Sequence, residues 1–409
     1  MRFLFIHQNF PGQFLNLAPE LVKRGHEVTV LTLNQRRLDL SWNGVRIIEY
    51  SITRANGTDT FPPAIDFETK IIRGTFCYVK AKSLRKEGYE PDIIISHPGW
   101  GESLFLKQLW PNALLKIYCE FFYRTSGLDV GFEKEYEPKD DLYFPRVELK
   151  NSNMLLQSEQ AFSCISPTNW QASTFPDFIR SKISVIHDGI DTDMVKPLND
   201  TVLELPGIET LSNDDEVITF VSRSLEPYRG FHVFMRSLPE ILKKRENAII
   251  LIVGEEGVSY GAPPPSGHSW KSIFLEEIRP LLNKQQYERL HFLGKVPYPE
   301  FKQILAVSTV HIYLTYPFVL SWSLLEAMSS ACAIVASRTP PVEEVIENKK
   351  TGILIDFFEH EELVKEVLLL VENPEKRAML GGSARDFVRA RYDLKTICLP
   401  KQIEWAEKI

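Results

Sequence analysis

Short apolar runs alternate with helix-periodic segments along nearly all of this 409-residue chain, and the alternation stops and restarts near its middle. In the first half, residues 2–7, 27–33, 45–50, 92–97, 116–120, 161–166 and 183–187 read as strands, while 14–24, 66–87 and 146–160 carry apolar residues at helical spacing. In the second half, residues 217–222, 248–254, 290–294, 310–315, 333–337 and 352–356 read as strands with helical segments between them. Three further helical segments, 359–370, 375–392 and 394–409, close the chain. Strands that are apolar throughout are buried on both faces, which means a mostly parallel sheet covered by crossover helices. The expected fold class is therefore α/β, with two doubly wound, Rossmann-like domains. The expected boundaries are 1–197 and 198–390, with 391–409 as a helix packing back on the first domain. The seam lies in the polar stretch from Pro197–Asn199 to Asp214 and Asp215, read as linker and surface loop. Two such domains leave a cleft at the carboxyl ends of their strands, where ligands of these folds bind.

Composition narrows the class further. A net charge of −7 gives no global attraction to nucleic acid or anionic lipid, so no nucleic-acid partner is expected. The stretch 70–86 concentrates Lys70, Arg73, Lys80, Lys82, Arg85 and Lys86, which reads as a solvated helix face or, as the alternative, a peripheral membrane contact. The five cysteines are scattered without a CxxC pair, which points to a reducing compartment without disulfides or structural zinc. The expected location is cytoplasmic, peripheral to the inner membrane face in the alternative. The apolar start MRFLFIHQNF is short and runs into a Pro-Gly turn, so it reads as a core strand rather than a leader. No apolar run approaches the length of a membrane-spanning helix.

Several residues stand where such folds do chemistry. Gly12 follows the first strand and precedes a helix, so its backbone can approach a phosphate, although a turn glycine explains it equally well. The absence of GxGxxG argues against NAD or FAD. His97 ends the strand DIIISH before Pro-Gly, which aims it into the crevice. Arg223 and Arg229 occur in VSRSLEPYRGF at a helix start, where two cations repel the dipole unless an anion lies between them. A diphosphate fills that role and suits guanidinium geometry. The loop GEEGVSYGAPPPSGHSW at 254–270 is too long and too rich in Gly and Pro to be a plain connection. No His, Cys or carboxylate spacing suggests a metal site.

The passage 310–355 combines an apolar strand, YPFVLSWSLLEAM, the strand AIVAS and TPPVEEVIENKKTGILI. It resembles the donor-binding core of family 4 glycosyltransferases of the GT-B fold, and the resemblance extends over essentially the whole chain. It implies a retaining, metal-independent enzyme that moves a sugar from a nucleotide-sugar, most simply a UDP- or GDP-sugar, to a glycan, lipid-linked or small-molecule acceptor. The nucleotide-sugar is substrate, and no cofactor is expected. The resemblance places Glu326 under the ribose and Val296 beside the base. The main-chain amides of Leu320, Ser321, Trp322 and Ser323 cradle sugar and phosphate. It gives His97, Arg223 and Arg229 catalytic roles, sets Gly12 against the diphosphate, and leaves Glu120 and Asp129, in CEFFYRTSGLDVGFEKEYEP, as acceptor-side candidates. The family pattern is two Glu residues separated by seven others, and here Phe318 replaces the first. The first Glu holds hydroxyls of the donor sugar, so the replacement leaves two alternatives open: an inactive sugar-nucleotide-binding scaffold, or another GT-B enzyme such as an epimerase. The donor base and sugar, the acceptor and the oligomeric state stay open.

Overall fold

The computed structural model describes residues 1–33, 41–198 and 200–409. By its contacts the chain divides into two units. The first comprises Met1–Gly131, Glu137–Asp188 and Lys395–Ile409; the second comprises Phe132–Tyr136 and Gly189–Leu394.

The first unit is built on eight strands: β1 (Arg2–Ile6), β2 (Glu27–Thr32), β3 (Ser41–Trp42), β4 (Val45–Glu49), β5 (Ile93–Ser96), β6 (Leu114–Tyr118), β7 (Ser163–Ser166) and β8 (Ile183–Val185). Their order is β3-β4-β2-β1-β5-β6-β7-β8, parallel except for the edge pair β3–β4. Residues Phe3, Leu4, Phe5 and Ile6 of β1 are all buried, as a central parallel strand requires. Both faces carry a core. Leu4, Ile94 and Ile117 pack on one side; Phe3, Phe5 and Ile95 pack on the other with Phe14 and Leu17. The helix Leu399–Glu407 belongs to this unit. Its last carbonyls are held by buried Lys116 of β6, whose ammonium donates to Trp405 (2.6 Å), Ala406 (3.0 Å) and Lys408 (2.6 Å). A cation is favoured at a helix carboxyl end, where the terminal C=O groups lack partners within the helix.

The second unit has the two-strand ladder β9 (Val202–Leu203) and β10 (Leu211–Ser212) and a six-stranded parallel sheet. The sheet strands are β11 (Val217–Ser224), β12 (Ile249–Glu255), β13 (Leu290–Gly294), β14 (Val310–Tyr313), β15 (Ile334–Ser337) and β16 (Ile353–Ile355), in the order β13-β12-β11-β14-β15-β16. The helix Phe231–Lys244 lies against this sheet, with Phe234 stacked on Phe220 at 4.7 Å.

Three local expectations change. The stretch read as linker and surface loop contains β9 and β10, while Asn199 lies outside the described residues. The single helix expected over 146–160 is two, Tyr143–Leu149 and Ser152–Gln160, with the Asn151 side chain bonded to the backbone of Tyr123 at the break. The last helix begins at Leu399, after a π-type turn over Leu394–Cys398. All five cysteines are buried free thiols. Among the described residues no helix is long and apolar enough to cross a membrane.

Candidate active site

In the first unit the carboxyl ends of β1, β5 and β6 bring His7, His97 and Glu120 together. His97 follows β5, where its backbone N–H continues the ladder to Ile6 (3.1 Å). Its ring is buried among Trp100 (4.5 Å), Tyr118 (5.5 Å) and His7 (5.5 Å). The His97 Nδ1 accepts from the Gly99 N–H (3.3 Å), which leaves the proton on Nε2, 3.5 Å from Glu120 Oε2. The other Glu120 oxygen accepts from the Gln13 amide (3.3 Å), and Gln13 Oε1 faces His7 Nε2 (2.9 Å). His7 Nδ1 in turn accepts from the Asn9 N–H (3.0 Å). Burial, aided by the neighbouring His97, pushes His7 down to about 3, so it stays neutral. Burial works against ionisation of Glu120, but the interactions with His97, with His7 and with the Gln13 amide outweigh it. The carboxyl is held below its ordinary range. The result is an ionised carboxylate, 40% exposed, met by the His97 imidazole and by the Gln13 amide, which His7 holds in turn.

Gly12 sits at φ +46°, and a side chain there would meet the His7 ring at 2.3 Å. Its identity is thus required by His7 whether or not a phosphate approaches it. Asp129 is buried in the same unit.

In the second unit, Arg229 closes the turn Pro227–Arg229, and Gly230, at φ +66°, starts the helix Phe231–Lys244. Arg229 is buried, and its Nη1 donates to Thr315 Oγ1 (2.8 Å) and to the Val319 carbonyl (3.2 Å). Arg223 is exposed at the end of β11 and makes no ion pair among the described residues. The two cations expected to act as a pair therefore occupy unlike surroundings, and only Arg229 is fixed by the fold. Phe318 is buried, edge-on to Tyr228 (5.1 Å) and tilted against Tyr260 (5.0 Å).

The helix Trp322–Ser329 starts at Ser321, whose hydroxyl accepts from the Ser323 N–H (3.3 Å). The Ser321 N–H donates to Tyr313 Oη (3.0 Å). Of the four amides expected to cradle sugar and phosphate, those of Ser321 and Ser323 have these partners, while Leu320 is buried and Trp322 is exposed. Glu326 accepts from the Tyr298 hydroxyl (2.7 Å), and burial raises its carboxyl despite that bond. Val296 is half-buried two residues before Tyr298.

Sequence reasoning missed His7, Gln13, Glu226, Tyr260 and Tyr298. The position of His7 at a strand end, like that of His97, was a usable signal, and Tyr260 lies in the long loop already singled out. Among the described residues no three His, Cys, Asp or Glu side chains cluster as metal ligands.

Comparison with known proteins decides the family. Residues 24–195 match the family model "Glycosyl transferase family 4 group", and residues 204–387 match "Glycosyl transferases group 1". The chain belongs to the family 4 glycosyltransferases. This glycosyltransferase is 28% identical over 203 residues to an uncharacterized glycosyltransferase of Methanocaldococcus jannaschii, a match covering 47% of this chain and 48% of that protein. Its fold resembles sucrose-phosphate synthase from Thermosynechococcus elongatus with a TM-score of 0.73 at 15% identity, covering 99% and 98% of the two chains. It also resembles HepE of Anabaena, solved with UDP and glucose, with a TM-score of 0.68 at 15% identity over 100% of both chains. At such identity the likeness is one of fold, and that fold is GT-B.

Proposed function

We propose that the protein is a retaining, metal-independent glycosyltransferase. It would take a sugar from a nucleoside-diphosphate donor, a UDP- or GDP-sugar, and place it on a glycan, lipid-linked or small-molecule acceptor in the cytoplasm. The observation that carries this reading is Arg229, a buried guanidinium anchored through Nη1 alone. A desolvated cation held by neutral acceptors is stabilised by an anion at its remaining donors. The bond from the sugar's anomeric carbon to the departing phosphate oxygen breaks, and a bond to the acceptor oxygen forms on the same face. The acceptor proton passes to the departing phosphate. In this reading Arg229, with Arg223 from the more exposed side, stabilises the charge developing on the diphosphate, so neither a metal nor a protein nucleophile is needed. Glu326, kept in place by Tyr298, accepts the ribose hydroxyls, and Val296 flanks the base. His97 and the ionised Glu120 orient sugar hydroxyls, with Gly12 at the same strand ends. The sucrose-phosphate synthase likeness and the UDP and glucose held by HepE agree with a nucleotide-sugar donor.

Phe318 favours a second reading, a sugar-nucleotide-binding scaffold without turnover, because the family's sugar-binding carboxylate is absent there. The two readings part on donor hydrolysis. A thermal-shift screen against UDP-, GDP-, ADP- and TDP-sugars finds the donor, since a ligand that binds only the folded state raises the melting point. Slow release of nucleotide and free sugar without acceptor marks the transferase; binding without release marks the scaffold.

A further inference from the structure

Two oddities of the second unit meet at one point. One is Phe318 in place of a carboxylate; the other is the long loop after β12. The loop is tied down by Glu226, which is fully buried just before the turn that carries Arg229. Its carboxylate accepts from three successive backbone amides, Ser259 (3.3 Å), Tyr260 (3.3 Å) and Gly261 (2.9 Å). Two further bonds tether the same stretch: the Ser259 hydroxyl to that of Ser224 (2.7 Å), and Trp270 Nε1 to the Ala262 carbonyl (3.1 Å). A side chain at Gly261 would meet Glu226 Oε2 at 3.2 Å. So held, Tyr260 lays its ring over the Arg229 guanidinium at 5.1 Å, and Phe318 lies over it at 6.0 Å.

A guanidinium accepts aromatic rings on its faces and donates hydrogen bonds only in its plane. Both rings lie on one side of Arg229, their centroids 5.0 Å apart, and with Nη1 committed to Thr315 and Val319 the guanidinium has the edge of Nε and Nη2 left. That edge is the one that grips a phosphate with two parallel bonds. A carboxylate at position 318 would lie within reach of the same guanidinium and compete for it.

We infer that Glu226, Tyr260 and Phe318 form one aromatic clamp that aims the free edge of Arg229 at the donor diphosphate, with Tyr260 as a donor-site residue and Glu226 as the residue that positions it. The missing family carboxylate and the long loop are then one adaptation. The sugar-binding carboxylate is given up, and the ring that replaces it seats Tyr260. This inference rests on the diphosphate role of Arg229 proposed above.

Inorganic diphosphate is the probe, because it binds without any contribution from base or sugar. Its affinity is measured by calorimetry on the full chain, alongside melting temperature. Arg229→Ala tests the underlying role and should lose at least about tenfold. Tyr260→Leu should lose about three- to thirtyfold, the range expected for a desolvated cation–π contact, whereas Tyr260→Phe keeps the ring and should bind as wild type. Glu226→Ala should lose as much as Tyr260→Leu, and the double variant should lose no more than either, because the two residues act as a unit. Phe318→Glu should lose more than Tyr260→Leu, because it adds a competing anion. If Arg229→Ala abolishes binding while Tyr260→Leu binds as wild type, the clamp is refuted and the diphosphate site stands. If Arg229→Ala itself binds as wild type, both fall. A loss in Tyr260→Leu with none in Glu226→Ala removes Glu226 from the assignment.

Discussion

Replacing Glu120 by Gln strains the hydrogen-bonded chain of the first unit at its centre. Backbone amides fix both ends of that chain: Asn9 N–H donates to His7 Nδ1, and Gly99 N–H donates to His97 Nδ1. Each neutral imidazole therefore carries its proton on Nε2. His7 donates to Gln13 Oε1, which turns the Gln13 NH2 toward Glu120, while His97 aims its Nε2–H at the second carboxylate oxygen. Position 120 must accept at both oxygens. Gln accepts at one, and its NH2 then faces another donor. Reversing Gln13 gives no relief, because its NH2 would then face the His7 Nε2–H.

The contacts to Glu120 are long, 3.3 and 3.5 Å, and the side chain is 40% exposed, so water relieves part of the mismatch. The cost falls at the low end for charged hydrogen bonds, about 1–2 kcal/mol, or about five- to thirtyfold in kcat/KM if His97 and Glu120 orient the sugars as proposed. Melting across pH gives an independent reading. The Glu120 carboxyl is depressed in the folded state. Its stabilisation is therefore present above the unfolded value of about 4.3 and lost as pH falls through the folded value. Wild type should melt above Glu120→Gln at neutral pH, and the gap should close in acid, below about pH 4. Equal turnover together with equal melting at every pH would refute the reasoning.

Glu326→Gln and Tyr298→Phe should each lower the preference for ribo- over deoxyribonucleotide in a binding assay, because both disturb the proposed ribose acceptor; an intact preference removes Glu326 from that role. Glu133→Ala strips the buried acceptor from His232 and Tyr316 and should cost about 1–3 kcal/mol, read as a lower melting temperature. Glu102→Gln should stabilise the protein at neutral pH. Burial raises the Glu102 carboxyl, so its contribution is full below the unfolded value of about 4.3 and is lost as pH rises through the folded value; the advantage of Gln should vanish in acid. Lys116→Met removes the donor to three carbonyls at the end of the helix Leu399–Glu407, and amide exchange in that helix should accelerate while the sheet cores stay protected.

The central strands were legible because a strand buried on both faces must be apolar at every position, and that signal is local. β1, β5 and β14 all lie within the runs read as strands, and β11 extends two residues past its run. The short β3, β9 and β10 were not, since two-residue ladders leave no periodicity to read. The break at Asn151 escaped for a different reason. It depends on the backbone of Tyr123, 28 residues away. The candidate site divides in the same way. His97, Arg229 and Glu326 announce themselves by their place at strand ends or helix starts. Gln13 and Glu226 do not, because their roles exist only through partners 107 and 33–35 residues distant.

The segment Phe132–Tyr136 shows how far such reach extends. Its sequence setting, rich in aromatic and acidic residues, suggested acceptor recognition or core packing in the first domain, yet the chain enters the second unit at Phe132 and leaves it at Tyr136. Its aromatic and acidic residues find matching partners there. Phe132 packs on Tyr316 (5.1 Å) and Phe357 (5.2 Å); Glu133 is buried on His232 (2.9 Å) and Tyr316; Glu135 bonds Arg236 (2.6 Å). Burying Glu133 is tolerable only because two donors meet it. Tyr316 then tilts against Tyr228 (4.8 Å), and Tyr228 meets Phe318 (5.1 Å). One aromatic wall thus runs from the inserted segment to Phe318. A carboxylate at 318 would sit at the end of that wall beside Tyr228, Tyr260 and Arg229, and pairing with Arg229 would be a cheap way for it to be satisfied. Phe318 is thus a fit to this particular unit, in which the one carboxylate acting on Arg229, that of Glu226, is already engaged by the amides of Ser259, Tyr260 and Gly261.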